Sequence, residues 1–151
     1  MRKMFCALVL LAFATPLLAS DPFAGTWTLN SAKTKYTTGT PSKNVTLVIE
    51  EQGTNLMVTA TGNRGDGSPL SVKYTVPVKG GMGSVEQGDF DGISAKQVSA
   101  HIRENTYTKD GKQIRMRRMV VSEDGKTMKS TLSGTGTDGK PAAGVDVYDK
   151  Q

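Results

Sequence analysis

The sequence predicts an all-β protein, an antiparallel up-and-down β-barrel of about 9–10 strands, and three observations favour this class. From position 21 onward, almost no apolar pattern follows the helical period, and short runs alternate apolar and polar residues instead. Glycine, proline, asparagine and aspartate separate these runs, as expected for tight connections between strands. Closing the resulting meander into a barrel would remove its two exposed sheet edges.

The start of the chain has the pattern of a secretory signal peptide. Arg2 and Lys3 give it a basic beginning, an almost unbroken apolar run covers 4–18, and two small residues follow. A membrane anchor is the alternative, but about 15 apolar residues are short for a membrane span. We therefore expect a signal peptide over 1–20, one barrel domain over 21–151, and a periplasmic or secreted location.

Charge and cysteine content exclude several classes of function. Cys6 is the only cysteine and lies in the predicted signal, so the domain has no thiol for a disulfide, a thiolate metal site or a nucleophile. The net charge of +5 falls to +3 without Arg2 and Lys3, and no nucleic-acid-binding motif is present. We expect no cofactor, no metal and no nucleic-acid partner, and we expect the mature protein to be a monomer that is not inserted in a membrane.

The first half of the domain contains four predicted strands. In the stretch FAGTWTLN (23–30), Trp27 and Leu29 alternate with polar residues. The runs 45–50 and 56–61 also alternate and are joined by a turn at Gln52-Gly53, so they predict a hairpin. The sharpest alternation is LSVKYTVPV (70–78), where every even-numbered residue is apolar, as in a strand with one buried face.

The second half begins with KGGMGSVEQGDFDG (79–92), which predicts a long, mobile connection because it is the most glycine-rich stretch. Two less clearly patterned strands follow at 93–98 and 102–108. The last strand, Val145 to Tyr148, is expected to turn Val145 and Val147 inward.

Three acidic-Gly-basic groups recur every 14 residues, at Asp110-Gly111, Asp124-Gly125 and Asp138-Gly139. Asp-Gly between alternating runs is a strong signal for a two-residue hairpin turn. Calcium binding is the alternative, but the regular offsets and the closing glutamate of an EF-hand loop are absent. The repeat therefore predicts corners of a folded ribbon, with the third corner widened by Pro141 into a loop over 136–143.

These corners fix the strand register. A turn at Asp124-Gly125 places Val121 opposite Met128 and Met119 opposite Ser130. The turn at Asp110-Gly111 instead makes Ile114 and Met116 the inward residues of the same long strand. These two have even numbers, whereas Met119 and Val121 have odd numbers, and one straight strand cannot turn both sets inward. One extra residue would reconcile the two sets, so we predict a β-bulge at Arg117-Arg118.

Three motifs in order carry a resemblance to a known family. They are Gly-Thr-Trp-x-Leu-Asn at 25–30, Val120-Val121-Ser122-Glu123-Asp124-Gly125-Lys126-Thr127, and Val-Tyr-x-Lys-Gln at 147–151. Together they make nearly the whole mature chain resemble small exported bacterial lipocalin-like proteins of the calycin superfamily, whose role is unassigned. The two-helix lid of the fatty-acid-binding branch and the lipocalin disulfide have no counterpart, so barrel type and ligand do not follow from the resemblance.

The resemblance also implies a structural pair. In that superfamily the tryptophan plugs the closed end of the barrel, and a basic side chain from a late strand packs over it. The matching residues are Trp27 and Arg118, or Arg117 if the bulge shifts the register. Guanidinium stacking on indole contributes about 0.5–2 kcal/mol, depending on how far the pair is removed from water.

The leading functional hypothesis is a non-catalytic barrel that binds a small apolar or amphipathic molecule in its interior. The alternative for every lining residue is that it only fills a closed core. An inward arginine, Arg103, Arg115 or Arg117, could pair with a ligand carboxylate. The candidate ligand-binding residues are Tyr74, Tyr107, Met116, Met119, Met128 and Arg117.

Two other classes of function remain open. The barrel could be a solid, envelope-associated module that contacts a protein partner through its loops. An enzyme is the third class, but His101 is the only histidine and lies in a polar turn, while Asp89 and Asp91 read as solvated loop residues. No Ser-His-Asp order and no metal-ligand cluster stands out, so we expect no catalytic site.

Overall fold

The structure is a computed structural model that describes residues 19–151, so the predicted signal peptide lies outside the described residues except for its last two positions. Within this range every regular element is a β-strand, and no helix is long and apolar enough to cross a bilayer. The strands are β1 (Gly25–Leu29), β2 (Lys35–Thr38), β3 (Lys43–Gln52), β4 (Asn55–Asn63), β5 (Pro69–Pro77), β6 (Gly80–Met82), β7 (Ser84–Gln87), β8 (Gly92–Ser99), β9 (Ile102–Lys109), β10 (Lys112–Val121), β11 (Thr127–Thr135) and β12 (Pro141–Lys150).

All strand pairs are antiparallel and form a single 12-stranded sheet that curls into a nearly closed barrel, which confirms the predicted fold class. The strand number exceeds the expected 9–10 for two reasons. The glycine-rich stretch 79–92 holds β6 and β7 instead of a mobile connection. The segment after β1 forms β2, which pairs with β12 beside β1.

The first and last strands pair, as predicted. Trp27 lies opposite Lys150 and Leu29 opposite Tyr148, so the two ends of the domain are adjacent in the sheet. From this pair the sheet extends one way through β3, β4 and β5 to β7, and the other way through β11, β10, β9 and β8 to β6. The barrel therefore closes where β6 and β7, which follow one another in the chain, bridge β8 and β5.

Gly83 is the residue between β6 and β7 at this closure. Its amide donates to the carbonyl of Ile93 on β8, at 2.9 Å. A Cβ at this position would collide with the carbonyl oxygen of Thr75 on β5 and would lie only 2.8 Å from Val76 Cγ1. The absence of a side chain thus lets one short segment approach both flanking strands, so the glycines that predicted mobility serve close packing instead.

The hairpin corners lie where the Asp-Gly pairs predicted them, but the register expected from the first corner holds only to Gln113. The third loop is shorter than the predicted 136–143, because Pro141 already pairs with Thr135. Asp110 and Gly111 both have positive φ, at 50° and 74°, as a two-residue type I′ turn requires. At the next corner the predicted pairs Val121–Met128 and Met119–Ser130 are confirmed. Its loop, however, has four residues (123–126), because the Ser122 amide donates to the Thr127 carbonyl at 2.8 Å.

Strand β10 does contain an irregularity, but the predicted position at Arg117-Arg118 is wrong. The register with β9 shifts between Gln113 and Arg115, so Tyr107 lies opposite Arg115 and Asn105 lies opposite Arg117. Every odd residue from Arg115 to Val121 then points inward. Arginine side chains therefore occupy positions that apolar patterning had assigned to Ile114 and Met116.

Strand β12 also differs from its expected orientation. Asp146 and Tyr148 line the barrel interior, so Val145 and Val147 lie on the opposite face. Val147 is nevertheless buried, because the segment after β1 covers it: its carbonyl accepts from the Asn30 amide at 2.7 Å, and its amide donates to Thr34 Oγ1 at 3.1 Å. The apolar pattern of the sequence shows that Val147 is buried, but it does not show that the covering segment lies outside the barrel.

Candidate functional site

The barrel encloses a cavity of about 90 Å³ with two chemically different walls. Strands β3, β4 and β5 contribute apolar side chains, among them Val45, Leu47, Leu56, Val58, Val72 and Val76. Strands β9 to β12 contribute most of the polar ones, namely Arg103, Asn105, Arg115, Arg117, Ser130 and Asp146. The interior is therefore amphipathic across its width, a division that a purely space-filling core does not need.

Five of the six candidate ligand-binding residues lie on this cavity wall: Tyr74, Tyr107, Met119, Met128 and Arg117. The placement of Met116 is wrong. Because the bulge precedes Arg115, Met116 falls on the outer face of β10, where 37% of its surface is exposed. The cavity wall also includes Phe90, Asp146 and Tyr148, which the sequence analysis did not select.

Three aromatic rings form a mutually edge-on cluster at one side of the cavity. The ring centroids of Tyr74 and Phe90 are 5.9 Å apart, those of Tyr74 and Tyr107 are 6.1 Å apart, and those of Phe90 and Tyr107 are 4.9 Å apart. The Tyr74 and Tyr107 hydroxyls share a hydrogen bond of 3.3 Å, and Asn105 Nδ2 donates to Tyr74 at 3.3 Å. Burial raises the pKa of Tyr74 well above its ordinary value, so its hydroxyl stays protonated.

The centre of the polar wall is an ion pair between Arg117 and Asp146. Arg117 Nη1 donates to Asp146 Oδ2 at 2.7 Å and to Ser130 Oγ at 3.1 Å, and the Tyr36 hydroxyl donates to the same Asp146 oxygen at 3.1 Å. Burial by itself lowers the pKa of Arg117, but the Asp146 carboxylate and the surrounding tyrosine hydroxyls outweigh it, so the pKa rises well above its usual value. The guanidinium is therefore a permanent cation within the barrel.

Tyr36 makes the stability of the barrel depend on pH in the alkaline range. Burial raises the pKa of Tyr36 from 10.0 to about 12, against an opposing effect of Arg117 and with a further rise from Asp146. Because the folded protein holds this proton more tightly than the unfolded chain does, the resulting stability is complete below pH 10 and is lost as pH rises through about 12. We expect the free energy of unfolding in urea to fall more steeply over this range for the wild type than for Tyr36→Phe. Parallel pH profiles would contradict the assignment.

Two further ion pairs lie toward the two ends of the barrel. Arg103 Nη2 contacts Asp21 Oδ2 at 2.9 Å, and Arg115 Nη2 contacts Asp89 Oδ2 at 2.6 Å. Arg115 also donates to the carbonyls of Thr135 and Gly136, at 2.6 and 2.9 Å, and so ties the loop before β8 to the end of β11. The expectation that Asp89 is a solvated loop residue is thus wrong, because it is the counter-ion of a buried arginine.

The predicted closing pair is also corrected. Trp27 is fully buried, as expected, and its Nε1 donates to the Phe23 carbonyl at 2.9 Å. Arg118, however, points outward and pairs with Glu104, since residues of even parity in this part of β10 face solvent. The cation over the indole is Lys150, which lies opposite Trp27 in the register, with its Nζ 4.9 Å from the ring centroid.

Two observations on residues 19–151 concern metal ligands and the single histidine. No group of three or more His, Cys, Asp and Glu residues in that range could hold a metal ion. His101 lies in the turn between β8 and β9. Comparisons with protein-family models, with curated proteins and with solved structures found no match for the chain.

Proposed function

We propose that this protein is a non-catalytic, exported barrel of the lipocalin-like kind that binds one small apolar or amphipathic molecule in its interior as a monomer. The observation that carries the proposal is the cavity with one apolar and one polar wall. In the proposed complex, the apolar part of the ligand packs against β3 to β5, and its polar end faces β9 to β12. Ligand cavities are mostly apolar with a few placed polar groups, and this interior has that composition.

The volume limits the size of the ligand. Ligand pockets usually measure about 300–1,000 Å³, and an engineered apolar cavity of about 150 Å³ accepts benzene. A cavity of about 90 Å³ therefore admits only a compact molecule without rearrangement of its walls. Met119 and Met128 on the wall have flexible, unbranched side chains whose rotation would enlarge the space.

Filling the cavity tests this proposal. Ala60 lines it between Leu47 and Val72 on the neighbouring strands. We expect native mass spectrometry of the wild type, purified from the cell that exports it, to show a co-purifying small molecule, and we expect Ala60→Leu to lose it. Thr61→Leu is the matched control, because it adds the same side chain one position along β4, on the exposed face, and leaves the cavity open.

The small volume also favours a second function, the solid-core interaction module. The interaction module makes the opposite prediction for the experiment with Ala60→Leu. The wild type would carry no molecule, and Ala60→Leu would raise the free energy of unfolding by filling empty space. The exposed apolar residues Met82 and Val98 do not by themselves mark a partner surface, because scattered exposed apolar side chains are normal.

A further inference from the structure

The charges on the polar wall are already balanced. Each of the three inward arginines has an aspartate partner from another part of the chain: Arg103 with Asp21, Arg115 with Asp89, and Arg117 with Asp146. A ligand carboxylate would have to displace one of these aspartates or enter as an uncompensated buried charge. Either course is costly, since an unpaired charge in a low-dielectric interior is strongly destabilised.

Several polar atoms on the same wall nevertheless have no hydrogen-bond partner among residues 19–151. They include two acceptors, Asp146 Oδ1 and Asn105 Oδ1, and two donors, Nε and Nη1 of Arg103. All three side chains are at least nine-tenths buried, with about 2% of each residue exposed. Native proteins satisfy most buried polar atoms, and each one left unpaired costs about 1–3 kcal/mol, so this set calls for a polar occupant.

These two observations define the chemistry of that occupant. On the basis of the proposed function, we propose that the ligand carries a neutral head group with both a hydrogen-bond donor and an acceptor, such as a carboxamide or a hydroxyl. Its donor is directed to Asp146 Oδ1 or Asn105 Oδ1, and its acceptor to the free N–H groups of Arg103. Its short apolar part faces β3 to β5. The arginines thus act as hydrogen-bond donors whose charge the aspartates already neutralise, and they do not form a binding site for an anion.

Three probes of nearly equal size and shape separate the possibilities: butanamide, butanoate and butylammonium. The protein is first unfolded in urea and refolded, so that any bound molecule is removed. Methionine methyl groups labelled with carbon-13 report binding by NMR, because Met119 and Met128 line the cavity. Met82 and Met116 lie on the outer surface, with 74% and 37% exposed, and serve as internal controls.

We expect butanamide to shift the Met119 and Met128 signals at a concentration at least about tenfold lower than either ion requires, with Met82 and Met116 unmoved. Asp146→Asn should reverse the preference between butanamide and butanoate, because it leaves Arg117 without its counter-ion. If that variant does not fold, Asp89→Asn makes the same test with Arg115 at the end of the barrel.

The outcomes distinguish the two proposals. If butanoate or butylammonium binds as tightly as butanamide, the neutral head group is wrong, although binding in the barrel stands. An unchanged preference in the folded aspartate variants likewise overturns the head-group assignment. If no probe moves Met119 or Met128, or only the outer methionines respond, the cavity is not a ligand site and the proposed function fails as well.

Discussion

Replacing Asp146 by alanine is expected to lower the free energy of unfolding by about 3–5 kcal/mol, because it leaves the Arg117 guanidinium buried without a counter-ion. The carboxylate accepts from Arg117 at 2.7 Å and from the Tyr36 hydroxyl at 3.1 Å, so the substitution leaves two donors without their acceptor. Urea unfolding followed by circular dichroism at pH 7 measures the loss. Only 3% of the Asp146 side chain is exposed, so water does not readily replace the carboxylate.

The chain offers a matched control for this result, because the next residue on β10 after Arg117 also forms an ion pair. Arg118 and Glu104 also form an ion pair, but 47% and 26% of their side chains are exposed. Glu104→Ala is therefore expected to cost only about 0–1 kcal/mol. The double variant Arg117→Met/Asp146→Ala should recover much of the loss, since it removes both charges together. An equal cost for Asp146→Ala and Glu104→Ala would show that the inner pair is not desolvated.

Trp27→Ala is expected to have a comparably large effect, about 3–5 kcal/mol, because it removes the largest fully buried side chain of the core. The indole packs beside Phe23 and donates to its carbonyl, so its loss leaves both a void and an unpaired acceptor. The free energy of unfolding must be followed by circular dichroism, because Trp27 is the only tryptophan and the variant has no indole fluorescence.

Lys150→Met separates packing from the cation–π contact over the same ring. It retains an apolar side chain above the indole and removes only the ammonium, so it should cost about 0.5–1 kcal/mol. Arg118→Met is the second comparison, because the resemblance to lipocalin-like proteins assigned the covering role to Arg118. Because Arg118 pairs with Glu104, its substitution has a cost of its own, about 0–1 kcal/mol, which should be the same with and without Trp27. The cost of Lys150→Met should instead disappear in the Trp27→Ala variant, and a cost of Arg118→Met that depends on Trp27 would contradict the contacts described above.

Local sequence signals were sufficient to predict the hairpins. Asp-Gly pairs mark the corners, and the corner at Asp124-Gly125 places Val121 opposite Met128, although its loop has four residues and not two. The corner at Asp110-Gly111 has the expected two-residue turn but sets the register only as far as Gln113. The pairing of β1 with β12 followed from a global argument, the removal of sheet edges. These features depend on backbone preference and on the alternation of apolar residues, both of which a single sequence displays.

The polar wall could not be predicted in the same way. Arg115 and Arg117 face inward only because Asp89 and Asp146, from distant parts of the chain, lie against them. A reading based on apolar periodicity places Met116 inside the barrel in preference to an arginine. It therefore puts the bulge after Met116, at Arg117-Arg118, whereas the irregularity precedes Arg115. The one available signal was the conflict between the even-numbered apolar residues at the start of β10 and the odd-numbered ones at its end. It shows that either some apolar residues of this strand face solvent or some polar residues face the interior.

The adjacency of the first and last strands of the barrel has a consequence for how it folds. Most strands pair with near neighbours in sequence, so two meanders can each form by local contacts, one of β1 with β3 to β5 and one of β8 to β12. Joining them requires Trp27 and Lys150 to meet from nearly opposite ends of the polypeptide, which closes the largest loop and has the highest entropic cost. We expect this step to limit the rate. The pair Arg103–Asp21 joins the two meanders and must wait for it, whereas Arg117 and Asp146 belong to the same meander and can meet earlier.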